Sequence, residues 1–262
     1  MILTDTHTHL YYEIDAEKLN ELMERCLQNS VSRLFLPNVN LSTIPLIYGL
    51  SRQHQENCFP MLGLHPGNVK AVADDENGNY KDELAGIRKA MDEHKFYAVG
   101  EIGIDLYWDK TTLAIQQEAF LTQIKWAKEL NMPIVIHCRE SFNEIFEILE
   151  QEKDEKLRGI FHCFTGSVEQ AHQAIDLGFY LGIGGVLTYK NSGLDKVISE
   201  IDLDHLVLET DSPYLTPVPY RGKPNESSYL IYVAQKLADL KQVSVEEVAR
   251  ITTQNSVRIF GI

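Results

Sequence analysis

The chain of 262 residues carries 38 acidic against 24 basic side chains, a formal net charge of −14, and 44% hydrophobic residues. That balance supplies a sizeable core and excludes a broad basic surface for gripping duplex nucleic acid, though not a nuclease whose bound cations bring positive charge locally. No apolar run is long enough to span a bilayer, no basic-then-apolar leader opens the chain, and Cys26, Cys58, Cys138 and Cys163 lack C-x-x-C spacing, so a cytoplasmic protein with reduced thiols and no membrane partner is expected.

In chain order, short β-branched or apolar runs alternate with longer stretches of helical spacing. A first strand is expected over Ile2–Thr6. A helix follows over Ala16–Asn29, where Leu19, Leu22, Met23, Cys26 and Leu27 recur on one face. Further strands are expected at Arg33–Pro37, Phe59–Leu64 and Tyr97–Ile102, with Asp74–Tyr80 a polar surface loop. Thr112–Asn131 reads as a helix through Ile115, Ala119, Ile124, Ala127 and Leu130. Strands come next at Ile134–His137, Gly159–Cys163, Tyr180–Ile183 and Leu206–Thr210. Ser167-Val168-Glu169-Gln170 is a capping box opening a helix that Gly178 closes, and Ser244-Val245-Glu246-Glu247 is another box.

Strands alternating with helices over this length give an α/β chain of the (β/α)8 TIM-barrel type. A doubly wound open sheet is the rival, but it favours a glycine-rich phosphate loop after the first strand. Here that loop holds Asp5-Thr6-His7-Thr8-His9-Leu10 instead. No linker, repeat or low-complexity segment is visible, so residues 1–262 are expected to form one domain. No apolar stripe exceeds what barrel helices need, and a monomer is expected.

Catalytic residues of such barrels sit at the C-terminal strand ends. His7 and His9 close strand 1, Glu101 strand 4, His137 strand 5, His162 strand 6 and Asp211 strand 8. A lone strand-end histidine is more often a satisfied core residue, but this many histidines and carboxylates closing apolar strands are not explained by packing. Residues i and i+2 of a strand share a face, which places Asp5 one layer below His7 to hold a histidine's second N–H. Glu209 takes the same place beneath Asp211, and Asp105 shares parity with Glu101 if strand 4 continues. Cys138 and Cys163, each following a histidine, are expected to face away and pack against helices.

Four histidines and two carboxylates suit two divalent metal ions. Nitrogen-rich ligation favours Zn, Mn, Fe, Co or Ni, and the carboxylates leave Mg open. A strand-4 carboxylate could bridge two metals, and Asp211 could take a proton from an activated water.

These residues resemble the TatD family of metal-dependent hydrolases and deoxyribonucleases, within the amidohydrolase-like barrels. The resemblance covers the whole chain. It rests on Asp5-Thr6-His7-Thr8-His9-Leu10, Gly63-Leu64-His65-Pro66, Val99-Gly100-Glu101-Ile102-Gly103-Ile104-Asp105, Ile136-His137-Cys138-Arg139, His162-Cys163-Phe164-Thr165-Gly166-Ser167 and Leu208-Glu209-Thr210-Asp211-Ser212-Pro213-Tyr214-Leu215. It implies metal binding by His7, His9, Glu101, His137, His162 and Asp211, with Glu101 the bridge, and a place for His65 near a substrate phosphate. Gly67, where the family often has a polar residue or histidine, and Ser227, where proline is more usual, depart from the pattern in loops that could touch substrate.

Arg139 follows strand 5, Lys190 follows strand 7, and Arg221 and Lys223 lie beyond strand 8, all on the expected metal face. Such cations could hold a phosphate. Tyr11, Tyr12, Tyr107, Trp108, Tyr189, Tyr214 and Tyr220 share that face, where bases could stack. The leading expectation is a two-metal exonuclease acting on DNA single strands or ends, 3′ to 5′ as the resemblance implies. A two-metal hydrolase of a carbonyl ester or amide is the alternative, and a non-catalytic metal-binding barrel the third.

Overall fold

The computed structural model describes residues 1–71 and 79–262. The expected loop at Asp74–Tyr80 lies outside the described residues up to position 78, while Tyr80 opens a helix capped by Asn79. The strands are β1 (Leu3–Asp5), β2 (Val31–Leu36), β3 (Cys58–Pro60), β4 (Val99–Asp105), β5 (Ile134–Arg139), β6 (Gly159–Phe161), β7 (Phe179–Ile183) and β8 (Leu206–Leu208). The helices are α1 (Ala16–Gln28), α2 (Ile44–Gln53), α3 (Tyr80–Glu93), α4 (Leu113–Leu130), α5 (Phe142–Gln151), α6 (Val168–Asp176), α7 (Leu194–Ser199), α8 (Leu230–Lys241) and α9 (Val245–Phe260).

All neighbouring strands pair in parallel, β1-β2-β3 as one sheet and β4 to β8 as a second. Two single bridges, Leu62 with Val99 and Thr8 with Ser212, join the sheets at both seams and close the barrel. The Thr6 N–H donates to the Leu208 carbonyl at 3.0 Å across the second seam. The expected strands are all present, with ends moved by a few residues because loops after the pairing segments turn early or late.

Strand alternation divides the core in two. Phe35, Met61, Ala98, Val135, Ile160 and Val207 form one cluster inside the barrel, which Phe260 of α9 plugs by stacking on Phe35 at 3.8 Å. Their neighbours Leu34, Leu36, Ile134, Ile136, Phe161, Leu206 and Leu208 face out and pack beneath the helices. The barrel interior is thus filled with side chains, which leaves its C-terminal mouth to hold a ligand. Helix starts follow the sequence. Ser167 accepts from the Gln170 N–H while Gln170 reaches back, and Ser244 accepts from the Glu247 N–H at 3.1 Å.

Among the described residues no helix is long and apolar enough to cross a membrane.

Candidate metal centre

His7, His9, Glu101, His137, His162 and Asp211 converge at the barrel mouth, in a cavity of about 770 Å³ that His9, His65, Glu101, Asp105, His137, Arg139, His162 and Asp211 help to line. Glu101 lies at the centre, 3% exposed, and its two oxygens face different neighbours. Oε2 lies 3.1 Å from His7 Nε2 and 3.9 Å from His9 Nε2. Oε1 lies 2.8 Å from His137 Nδ1, 3.5 Å from His65 Nε2 and 3.6 Å from His162 Nε2. Asp211 Oδ1 stands 3.4 Å from His9 Nε2 and 3.8 Å from His7 Nε2.

Do these groups fit metal ions? His7 is fully buried, and neither of its ring nitrogens has a hydrogen-bond partner. A buried polar atom left unpaired costs about 1–3 kcal/mol, so an unpartnered imidazole is out of place in a core. His7, His9 and Asp211 form one group whose ligand atoms lie within 4.8 Å of one another, and His7, Glu101 and His162 form another. The donor set, imidazole nitrogen plus carboxylate, is one that divalent ions accept.

The tautomers separate ligands from donors. The Tyr11 hydroxyl donates to the Pro37 carbonyl at 2.7 Å, so it accepts from His9 Nδ1–H at 2.8 Å. That leaves a lone pair on His9 Nε2, facing Glu101 and Asp211. His65 is set the opposite way. The Gly67 N–H donates into His65 Nδ1 at 3.0 Å, which puts the ring proton on Nε2. Although His65 also groups with Glu101 and His137, its inward nitrogen offers a proton to an anion and no lone pair to a cation.

The supporting carboxylates differ from expectation at one point. Asp5 does not hold an imidazole. β1 ends at Asp5 and the chain bends at Thr6, so strand alternation does not carry through to His7. The Asp5 carboxylate instead accepts from the His7 backbone N–H at 3.3 Å, from the Thr210 N–H at 2.9 Å and from the Thr210 hydroxyl at 2.5 Å. Asp105, included because β4 continues to it, stands behind His137, with Oδ2 at 3.0 Å from Nε2. Glu209 Oε1 lies 2.9 Å from His162 Nδ1, a charge contact without hydrogen-bond alignment, and accepts from the Cys163 N–H at 2.6 Å.

Charge follows this layout. Burial works against the ionised form of Glu101, yet His65, His7 and His162 hold its carboxyl well below the usual range. Burial also opposes protonation of His162, but Glu209 and Glu101 outweigh it and push that imidazole up to about 10. His137 is raised against burial by Asp105 and Glu101. Burial, with His162 beside it, lowers His7. Burial alone raises Asp5 to about 7, against its hydrogen bonds.

Asp211 is placed by its neighbours in sequence. It has a positive φ of 54°. Its N–H donates to the His7 carbonyl at 2.9 Å, and the His9 N–H donates to the Ser212 carbonyl at 2.8 Å. Asn225 braces the turn, its side-chain amide donating to the Thr210 carbonyl at 2.8 Å and the Tyr214 carbonyl at 2.6 Å.

Of the cations, Arg139 lines the cavity and the structure leaves Arg221, Lys223 and Lys190 outside its lining. Tyr12, Trp108 and Tyr214 also border it, whereas Tyr11 is buried beneath His9. Cys138 packs against the outer core beside Ser141 as expected, though it also touches the cavity, whereas Cys163 borders the cavity contrary to expectation. Cys163 has a φ of 47°, which turns the chain past the end of β6 and ends the strand alternation.

This fold and this site define a barrel of the metal-dependent hydrolase type. The family model for TatD related DNase matches residues 4–261, and the chain belongs to that family. It is 41% identical to the "uncharacterized metal-dependent hydrolase YabD" of Bacillus subtilis, over the full length of both chains. It is 35% identical to the similarly described YcfH of Escherichia coli, covering all of this chain and 97% of that protein. The crystal structure of YjjV, a TatD homologue from E. coli, superposes with a TM-score of 0.90 at 27% identity, covering 99% of this chain and 98% of that one.

Proposed function

We propose that this protein hydrolyses phosphodiester bonds at single-stranded DNA or DNA ends, removing nucleotides from the 3′ end, as a monomer in the cytoplasm. The observation that carries the reading is Glu101, a buried carboxylate whose two oxygens face two different groups of imidazoles. A carboxylate so placed can serve two cations at once. His7, His9 and Asp211 would hold one and His137 and His162 the other, with Glu101 shared. Two divalent cations bound there would act as Lewis acids on a phosphoryl oxygen and lower the pKa of an attacking water.

The remaining steps belong to the chain's own groups. Asp211 is 15% exposed against 3% for Glu101, so it is the carboxylate that an incoming water can reach and to which it can pass a proton. His65 Nε2–H donates to a non-bridging phosphoryl oxygen. Arg139 supplies the charge at the cavity wall, and its guanidinium fork suits a phosphate. Carbonyl-ester hydrolysis would leave Arg139 and the His65 proton without a phosphate to bind.

The test is cleavage of a 5′-labelled single-stranded oligonucleotide with Mg or Mn supplied and EDTA as control. A ladder shortening from the 3′ end and lost in EDTA is expected. Intact oligonucleotide with every divalent metal, in a protein shown to hold metal, would overturn the reading.

A further inference from the structure

Arg221 and Lys223 stand outside the cavity, and what holds them there is informative. The Arg221 guanidinium carbon lies 3.9 Å from the centre of the Tyr189 ring. Arg139 takes the same position over Tyr107, also at 3.9 Å, with Trp108 at 5.5 Å. Lys223 Nζ lies 5.7 Å from the Tyr220 ring centre. Among the described residues, none of these three side chains has a carboxylate in ion-pair range or donates a hydrogen bond within the protein, and all three are exposed. Arg25, Arg88 and Arg250, by contrast, each sit on a carboxylate. A guanidinium resting on a ring is oriented through one face, while its N–H edge stays free for an anion.

The Tyr189 support is rigid. Its hydroxyl donates to the Thr216 carbonyl at 3.0 Å, and the Val218 N–H donates to the Thr188 hydroxyl at 2.9 Å, tying the loops after β7 and β8 together. Val186 and Leu215, from those same loops, line the cavity, while Tyr189 and Arg221 are not among its lining residues. Arg139, the last residue of β5, and Trp108, in the loop after β4, line it as well. Two ring-held guanidinium groups therefore flank the mouth from well-separated strands, one inside the cavity and one outside it.

We propose that Arg221 on Tyr189, with Lys223 beside it, is an outer phosphate contact for single-stranded nucleic acid, engaged only by strands that run on past the catalytic cavity. This rests on the phosphodiester reading and adds to it a dependence on strand length. A dinucleotide seated at Glu101 reaches Arg139 and not Arg221. A longer strand reaches both.

The experiment compares kcat/KM for dT2 and dT10, with Mn supplied, in wild type, Arg221→Ala and Tyr189→Leu. Anisotropy of fluorescein-labelled dT10 reads binding independently of turnover. The expected result is a wild-type preference for dT10. Arg221→Ala should cost about three- to tenfold on dT10, leave dT2 within about twofold, and reduce the salt slope of dT10 binding by about one. Tyr189→Leu should act in the same direction, since it frees the guanidinium. Equal loss on both lengths, or no loss on either, would overturn the outer contact while leaving the phosphodiester reading in place. Failure of wild type to cleave either oligonucleotide would remove that reading, and unchanged dT10 binding by Arg221→Ala would still decide against the outer contact.

Discussion

Replacing Asn225 by alanine tests whether the turn that carries Asp211 is held from behind. The Asn225 side chain is buried and makes three hydrogen bonds. Its amide serves the Thr210 and Tyr214 carbonyls, and its oxygen accepts from the Glu226 N–H at 2.9 Å. Alanine removes all three partners. The Thr210 carbonyl is in the interior, where an unpaired acceptor costs about 1–3 kcal/mol. Tyr214 is 54% exposed, so water can replace the lost amide near its carbonyl at little net cost. The Glu226 N–H lies between these cases. The total comes to about 2–4 kcal/mol, which in a chain of this size lowers Tm by roughly 5–12 °C. Because Thr210 and Tyr214 bracket Asp211, metal affinity should fall as well. Thermal unfolding with and without metal, alongside isothermal titration with Mn, measures both effects. A Tm within about 1 °C of wild type together with unchanged Mn affinity would refute the bracing role.

Asp105→Asn should weaken metal binding by about 10- to 100-fold with the fold intact, because His137 loses the carboxylate behind it; titration of metal into a variant of native circular dichroism checks this. Asp211→Asn should lower turnover by about three orders of magnitude or more while leaving Tm within a few degrees, and wild-type activity in that variant would remove the catalytic assignment. Metal loading should release protons near neutral pH. His162, held up to about 10 in the metal-free protein, must give up its proton to become a ligand, so apparent affinity rises with pH through that range. Calorimetry in two buffers of different ionisation enthalpy reads the release, expected to be about one proton per chain or more. Gly103→Ala should destabilise by about 3 kcal/mol or more, since Gly103 has a φ of 145° and an added Cβ would run into the His137 carbonyl oxygen; urea unfolding decides.

Much of the fold and of the site's composition was legible in the sequence, because each strand is a short apolar run and the site residues close those runs. Strand ends were harder to read, and they decided the errors. Asp5 keeps the parity of Leu3, and the bend at Thr6 resets it before His7. A bend made by pairing with the Leu208 carbonyl across the barrel seam has no local signal. Asp105 depended on β4 running on, and its pairing with Arg139 is a tertiary fact. The tautomers of His9 and His65 rest on Tyr11 and on the Gly67 amide, both two residues away in sequence. That spacing was visible, but which way each loop turns was not. Arg221 lies in the loop after β8 as expected, but which ring it rests on, Tyr189, is a tertiary fact with no local signal.

The electrostatics of the floor would reconcile an acidic composition with the proposed anionic substrate. Glu101, Asp105, Asp211 and Glu209 put four carboxylates at or beneath the floor of one cavity. In the metal-free protein Asp105 and Glu101 favour protonation of His137, and Glu209 and Glu101 that of His162, against the effect of burial. Those protons would be lost if the imidazoles became ligands, and bound divalent cations would bring the opposing charge in their place. On the phosphodiester reading, a phosphate would then approach a less negative floor, with Arg139 and the His65 proton at its edge. The same phosphate would meet repulsion from a metal-free floor, which is screened little in a buried site. On that reading metal and substrate would bind as linked events. On the phosphodiester reading, a protein of net charge −14 would need no basic surface to accept a nucleic-acid strand, only cations at the floor and a few ring-held guanidinium and ammonium groups around the mouth.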